Sequence, residues 1–210
     1  PDLQRYLAMM VEQGAQYAVL EATSHGLAQR RVEACDFDVA VVTNITRDHY
    51  DYHGSYEAYR DAKALLFHSL LAGARKPGTP KVAIANADDP SYDHLRAIPA
   101  DWRLSYGLER AADVTFAEVA QEEDERQPGS YRWRCRAETP RGPFTVSTSL
   151  PGRFNLYNVL AAIAVAISQG VPTEAIGAGI GAFRGVEGRM EAIDLGQPFR
   201  ALIDFAHSPN

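Results

Sequence analysis

Three short apolar runs constrain this chain more than any other feature: Tyr17-Ala-Val-Leu-Glu21, Phe37-Asp-Val-Ala-Val-Val-Thr43 and Lys81-Val-Ala-Ile-Ala-Asn86. Consecutive apolar positions, rather than alternating ones, suit strands covered on both faces, as in a parallel sheet. Ser55 to Leu71 lies between the last two runs and reads as a helix, with Ser55 as N-cap and Glu57 in the first turn. A helix is also expected over Leu3 to Gln13, with Leu3, Tyr6, Leu7, Met10 and Val11 on one face and Gly14 closing it. Strands alternating with helices predict an α/β fold, a mostly parallel sheet flanked by helices.

The texture changes from Asp101 to Leu150. Trp102 to Tyr106, Asp113 to Val119, Tyr131 to Ala137 and Phe144 to Thr148 read as strands of a small antiparallel meander spanning about 101–150. The acidic stretch from Gln121 to Gly129 separates two of them as a loop. Leu156 to Gln169 is apolar on nearly every face and reads as a buried helix, capped by Asn155 and ended by Gly170-Val-Pro172. Thr173 to Phe183 follows as a second helix, and Arg200 to Asp204 as a final strand. A helix at the very start and a strand at the very end read as the cut edges of a longer protein.

Composition narrows the partners. With 27 acidic against 21 basic residues, the formal charge of −6 excludes the broad basic surface of a nucleic-acid-binding domain. No stretch approaches the ~20 apolar residues of a membrane span, so no membrane insertion is expected. Cys35 and Cys135 form neither a disulfide framework nor a C-x-x-C pair, and the expected location is cytoplasmic.

The densest polar group, Thr43-Asn-Ile-Thr-Arg-Asp-His-Tyr-Asp-Tyr-His-Gly54, directly follows an apolar strand. Open parallel sheets bind ligands beyond the carboxyl ends of their strands. Asp48, His49, Asp51 and His53 have the spacing to ligate a metal, with a plain polar loop as the alternative. A second run ends in Glu21-Ala-Thr-Ser-His25, which brings a carboxylate, two hydroxyls and an imidazole to the same sheet edge. Lys63 completes a stripe of Tyr56, Tyr59, Leu66 and Leu70 at helical spacing. An ammonium there is paired, neutral, modified or snorkelling to solvent. A neutral amine also reacts with carbon dioxide to form an anionic carbamate. Asn158, in the first turns of the buried helix, can present its amide to a planar base. Gly185-Val-Glu-Gly-Arg-Met-Glu191 and Asp204 add a glycine-flanked arginine and a carboxylate, but no G-x-x-x-x-G-K-[ST] phosphate cradle occurs.

In this order, the strings resemble the Mur ligase family, and within it the branch that adds the third peptide residue of the cell-wall precursor. The matching segments are Asp2-Leu-Gln-Arg5, Glu21-Ala-Thr-Ser-His-Gly-Leu27, Thr43-Asn-Ile-Thr-Arg-Asp-His49 with Asp51-Tyr-His-Gly54, Ala62-Lys63, Asn86-Ala-Asp-Asp89, Phe154-Asn155 with Asn158, Gly188-Arg-Met-Glu191 and Asp204-Phe-Ala-His-Ser-Pro209. Tyr50, Ser208 and Asn210 depart mildly from the pattern. The resemblance implies a P-loop-type central ATP-binding domain over residues 1–191, lacking its N-terminal P-loop segment. Residues 192–210 are then the hinge and the first strand of a C-terminal ligase domain.

The implied reaction is ATP-dependent amide formation through an acyl phosphate. It joins a diamino acid, meso-diaminopimelate or L-lysine, to UDP-MurNAc-L-Ala-D-Glu. The resemblance carries Glu21, His49 and Lys63 over as magnesium ligands, with Lys63 carbamylated; Lys63 and His49 are the catalytic candidates. Thr23, Gln29 and Arg31 match substrate contacts, and Asn158, Arg189 and Asp204 match ATP contacts. The 210 residues alone are expected to be inactive. Another Mur ligase or a folylpolyglutamate synthetase shares the scaffold, and a metal-dependent hydrolase built on the Asp48–His53 cluster is a remote alternative.

Overall fold

The computed structural model describes residues 2–46, 50–123, 131–193, 195–197, 199 and 201–206, with the side chains of Tyr50 and Asp51 excepted. Its framework is a parallel sheet of β1 (Val39–Val42), β2 (Val82–Asn86) and β3 (Trp102–Tyr106), in that order. Val39 stands opposite Val82, and Val82 opposite Trp102. Every residue of the central β2 is buried, as an apolar run sandwiched between two layers requires.

The pleat sorts the β2 side chains. Ala83 and Ala85 join Ala40 and Val42 against Tyr59, Phe67 and Leu70 of α4 (Tyr56–Ala72). Val82 and Ile84 face the other way, toward Leu156, Leu160 and Ile163 of α6 (Phe154–Ser168). The far side of that cluster is an antiparallel meander, β4 (Thr115–Glu123), β5 (Tyr131–Glu138) and β6 (Phe144–Thr148), which contributes Phe116, Cys135, Ala137 and Val146. Helix α6 is therefore enclosed between sheet and meander, consistent with its apolar character all round. α7 (Thr173–Ala182) packs on β6.

Local signals placed the helix ends well. The Ser55 hydroxyl accepts the Ala58 N–H at 3.1 Å and starts α4. Helix α6 ends with Gly170 at φ +76°; its N–H reaches the Ile167 carbonyl and the Val171 N–H the Ala166 carbonyl. At its start, the expected cap moves: α6 begins at Phe154 after Arg153, and Asn155 lies inside the first turn, donating to the Pro151 carbonyl at 2.7 Å.

Three other expectations change. Trp102 to Tyr106 is the third parallel strand rather than part of the meander, because the segment carrying α5 (Tyr92–Leu95) returns the chain to run beside β2. The meander consequently starts at Thr115. Tyr17 to Glu21 forms no strand; Tyr17 and Val19 are exposed, and β1 ends the sheet on that side among the described residues. An extended run becomes a strand only where a neighbouring ladder receives its N–H and C=O groups. Finally, α1 (Asp2–Glu12) forms as expected, but only Leu3, Leu7 and Met10 of its apolar residues are half-buried; Tyr6 and Val11 are exposed. The final strand, β8 (Ala201–Ile203), pairs antiparallel with β7 (Glu191–Ile193), which spans the expected boundary between residues 191 and 192. No helix among the described residues is long and apolar enough to cross a membrane.

Candidate active site

The carboxyl edge of the parallel sheet carries the polar residues. β1 leads into Thr43, Asn44 and Ile45, whose backbone is gripped from three directions. Tyr106 Oη donates to the Thr43 carbonyl at 3.3 Å, Lys63 Nζ donates to the Asn44 carbonyl at 3.1 Å, and the Ile45 N–H donates to Asp89 Oδ2 at 2.9 Å. Lys63 is half-buried on α4, between buried Tyr59 and half-buried Leu66, with Nζ 5.0 Å from the centre of the Tyr59 ring. Its expected stripe position thus holds, and its head reaches the strand end.

The loop Glu21 to Arg31 packs beside it. Thr23 caps α2 (Ser24–Ala28): its hydroxyl oxygen accepts the Gly26 N–H at 3.0 Å, which leaves the hydroxyl proton for a ligand. Ser24 is buried and hydrogen-bonds His53 Nε2 at 3.1 Å. Arg31 Nη2 donates to Gln29 Oε1 at 2.7 Å, and Gln29 Nε2 donates to Tyr52 Oη at 3.3 Å. Arg31 is exposed and has no carboxylate partner among the described residues.

Glu21 is exposed on the same loop. His49 and Asp48 lie outside the described residues, as does the side chain of Asp51. No metal-holding group of three His, Cys, Asp or Glu side chains occurs among the described residues. Of the side chains in the hydrolase cluster, only that of His53 is described, and its Nε2 is on Ser24.

Asn86-Ala-Asp-Asp89 performs two tasks that sequence reasoning had not assigned. Asp89 holds Ile45, as above. Asp88 accepts the N–H groups of Leu108, Glu109 and Arg110 at 2.7, 3.0 and 2.7 Å, and the Tyr157 phenol at 3.0 Å. Burial alone would raise the Asp88 pKa; the three backbone donors and the phenol outweigh it and hold the carboxyl below its ordinary value. Through Tyr157, Asp88 ties the sheet edge to the first turns of α6. The signal was available: a carboxylate pair ending a buried strand.

The next residue, Asn158, lies on the rim of an apolar cavity of about 340 Å³ lined by Thr148, Leu150, Val159, Ala162, Ile180 and Phe183. Its Nδ2 donates to Asn155 Oδ1 at 2.9 Å, which turns the amide with its carbonyl oxygen unspent in that bond. An apolar slot with one amide at the rim fits a planar heterocycle. Arg189 and Asp204 come together on the β7–β8 ribbon: Asp204 Oδ1 accepts the Met190 N–H at 3.1 Å, and the Arg189 guanidinium sits 5.2 Å from the centre of the Phe205 ring. Gly188 and Met190, at φ +71° and +47°, make the tight turn that presents Arg189.

Residues 1–166 match the model of the Mur ligase middle domain. The chain is similar to a UDP-N-acetylmuramoyl-L-alanyl-D-glutamate–2,6-diaminopimelate ligase of Bacillus licheniformis, at 41% identity over 99% of this chain and 41% of that protein. It is 42% identical to a UDP-N-acetylmuramyl-tripeptide synthetase of Roseiflexus, over all of this chain and 41% of the relative. A solved structure of a UDP-N-acetylmuramoyl-L-alanyl-D-glutamate–2,6-diaminopimelate ligase superposes with a TM-score of 0.75 at 35% identity, covering 92% of this chain and 38% of that one. The chain thus spans about two fifths of the length of these relatives. A crystal structure of MurF from Acinetobacter baumannii, 24% identical with a TM-score of 0.67 over 80% of this chain and 34% of that one, shares the fold.

Proposed function

Because the chain belongs to the Mur ligase family, we propose that the protein carrying it is an ATP-dependent carbon–nitrogen ligase that adds a diamino acid to UDP-MurNAc-L-Ala-D-Glu. The relatives whose names specify a diamino acid name 2,6-diaminopimelate, which favours it over L-lysine. The carrying observation is one juxtaposition at the sheet edge. The exposed Arg31, free of any carboxylate among the described residues, stands on the loop that packs beside the helix holding Lys63 on the Asn44 carbonyl.

In this reading Arg31 and Gln29 bind the anionic muramoyl peptide, and the Thr23 hydroxyl donates to it. A peptide carboxylate oxygen attacks the γ-phosphorus of ATP, and ADP leaves. The amine of the diamino acid then attacks the acyl carbon of the resulting acyl phosphate. The tetrahedral intermediate expels phosphate, and the amine proton passes to solvent. Asn158 offers its amide to the adenine in the apolar slot, and Arg189 and Asp204 contact the ribose and phosphates. Both roles suit their geometry, an amide at the edge of an apolar cavity and a guanidinium on a tight turn.

Joining two anions needs neutralising charge. Magnesium prefers oxygen donors; Glu21 and a carbamate on Lys63 would supply them, with the His49 imidazole adding a nitrogen, and the ion would supply charge neutralisation at the phosphates. Residues 1–191 are the ATP-binding domain and 192–210 the hinge and first strand of the next. Two of the three substrates, ATP and the UDP-linked peptide, carry nucleotides, which supports a cytoplasmic reaction that involves no nucleic acid.

The test is phosphate release by the full-length protein. It is expected only when ATP, UDP-MurNAc-L-Ala-D-Glu and diaminopimelate are all present, and to be lost in Lys63→Ala. Turnover without the muramoyl peptide would overturn the assignment, and near wild-type turnover in Lys63→Ala would overturn the carbamate role.

A further inference from the structure

Two neighbouring residues of α3 (Tyr50–His53) carry contacts that the proposed reaction does not use. The ring of Tyr52 lies 4.1 Å from that of His25, tilted by 42°, and its hydroxyl accepts the Gln29 amide. Gln29 in turn accepts Arg31. His53 belongs to the same ring cluster, 4.8 Å from Tyr52 and 5.4 Å from His25, and extends it toward α4. Its Nε2 meets the Ser24 hydroxyl, which is 2% exposed, and its ring centre lies 5.4 Å from that of Tyr59, which is 4% exposed. Tyr59 lies beneath Lys63 Nζ. A single turn of helix therefore joins the loop bearing Gln29 and Arg31 to the helix bearing Lys63, by hydrogen bonds at the loop end and a ring contact at the helix end.

We infer that Tyr52 and His53 are positioning residues for the muramoyl peptide. This rests on the substrate proposed above. Exposed glutamine and arginine side chains sample many rotamers, and ordering them on binding opposes affinity. Tyr52 orders the Gln29–Arg31 pair in the free protein, so the cost is met before substrate arrives. His53 sets the loop relative to α4, so the peptide carboxylate and Lys63 come into register. Because a misplacement of about 1 Å slows a two-substrate reaction steeply, His53 affects turnover as well as binding, whereas Tyr52 acts mainly on binding.

The full-length enzyme tests this with variants that spare the fold. Tyr52 is 47% exposed, and Tyr52→Phe deletes only the hydroxyl. Its KM for UDP-MurNAc-L-Ala-D-Glu is expected to rise about 3- to 10-fold, the worth of one hydrogen bond, with a far smaller change in kcat and in the KM for ATP. Gln29→Ala and the Tyr52→Phe/Gln29→Ala double variant are expected to match each other, since the hydroxyl acts through Gln29. His53→Ala should raise the same KM and lower kcat, and His53→Gln, whose amide can reach Ser24, should recover most of both at equal Tm. An unchanged KM in Tyr52→Phe, or its full effect added on top of Gln29→Ala, overturns the Tyr52 role. A glutamine no better than alanine overturns the His53 role. A wild-type enzyme inactive on this peptide overturns the substrate proposal as well, so the two failures are told apart.

Discussion

Lys81 Nζ lies 3.2 Å from Asp38 Oδ1 and 2.6 Å from the Phe37 carbonyl oxygen, with its side chain wholly excluded from solvent. Of the three lysines in the chain, the enclosed one is Lys81, at the amino end of β2, and not Lys63, whose helical stripe had singled it out. Lys76 also pairs with Asp38, and the Lys81 N–H donates to Asp101 Oδ2 at 2.9 Å. This network holds the end of the sheet opposite the candidate site.

Removing one member of an enclosed ion pair leaves the other charge without its partner, a loss of ~3–5 kcal/mol. Asp38→Ala is therefore expected to destabilise strongly, while Asp38→Ala/Lys81→Met, which removes both charges, recovers most of the loss. Urea unfolding of the three proteins checks this; equal stability of Asp38→Ala and the double variant would contradict it.

The same carboxylate gives a pH dependence. Burial pushes the Asp38 pKa up, but hydrogen bonds and charge from Lys76 and Lys81 outweigh it, so the folded value lies below the ordinary 3.8. A depressed folded pKa contributes stability that is present above 3.8 and lost as pH falls through the lower folded value. Thermal unfolding between pH 6 and pH 2 should show a smaller acid-side decline in Asp38→Asn than in wild type.

Tyr157→Phe deletes the phenol that donates to Asp88. A hydrogen bond to an ionised carboxylate contributes ~1.5–3 kcal/mol; Tyr157 is only half-buried, so about 1 kcal/mol is expected. Burial first, then the Asp88 hydrogen bond, pushes the phenol up to about 12. The raised value means its stabilisation is complete below pH 10 and lost as pH rises through about 12. Difference absorbance of tyrosinate should lose a component titrating near pH 12 in Tyr157→Phe, while the more deeply buried Tyr106 titrates higher still in both proteins.

Nucleotide binding tests the apolar slot. In the full-length protein, Asn158→Ala should weaken ATP about tenfold, one hydrogen bond's worth, and Ile180→Trp should weaken it further by filling the cavity. Calorimetric titration with ATP measures both. Unaltered affinity in Ile180→Trp would place the adenine elsewhere.

Arg31→Ala should raise the KM for UDP-MurNAc-L-Ala-D-Glu by tenfold or more and leave the KM for ATP unchanged. Arg31→Lys should recover only part, because a point charge replaces a fork. Steady-state kinetics with each substrate varied in turn decides it.

Much of this protein was readable in one dimension. Apolar runs identified β1 and β2, Ser55 and Gly170 marked helix ends, and the all-round apolar α6 announced its burial, because these depend on residues a few positions apart. The motif order identified the family and singled out Lys63, Arg31 and Asn158. What needed the tertiary structure was whatever depends on a partner distant in sequence. Tyr17 to Glu21 has strand composition without a ladder, Trp102 to Tyr106 joins the parallel sheet because of where its connection returns it, and Lys81 is enclosed because Asp38 lies beside it. Tyr52 and His53 read as members of a polar loop until folding set them between Ser24, Gln29 and Tyr59. Local propensity acts along the chain, whereas ladders, ion pairs and stacked rings are formed across it, and only packing determines which distant residues meet.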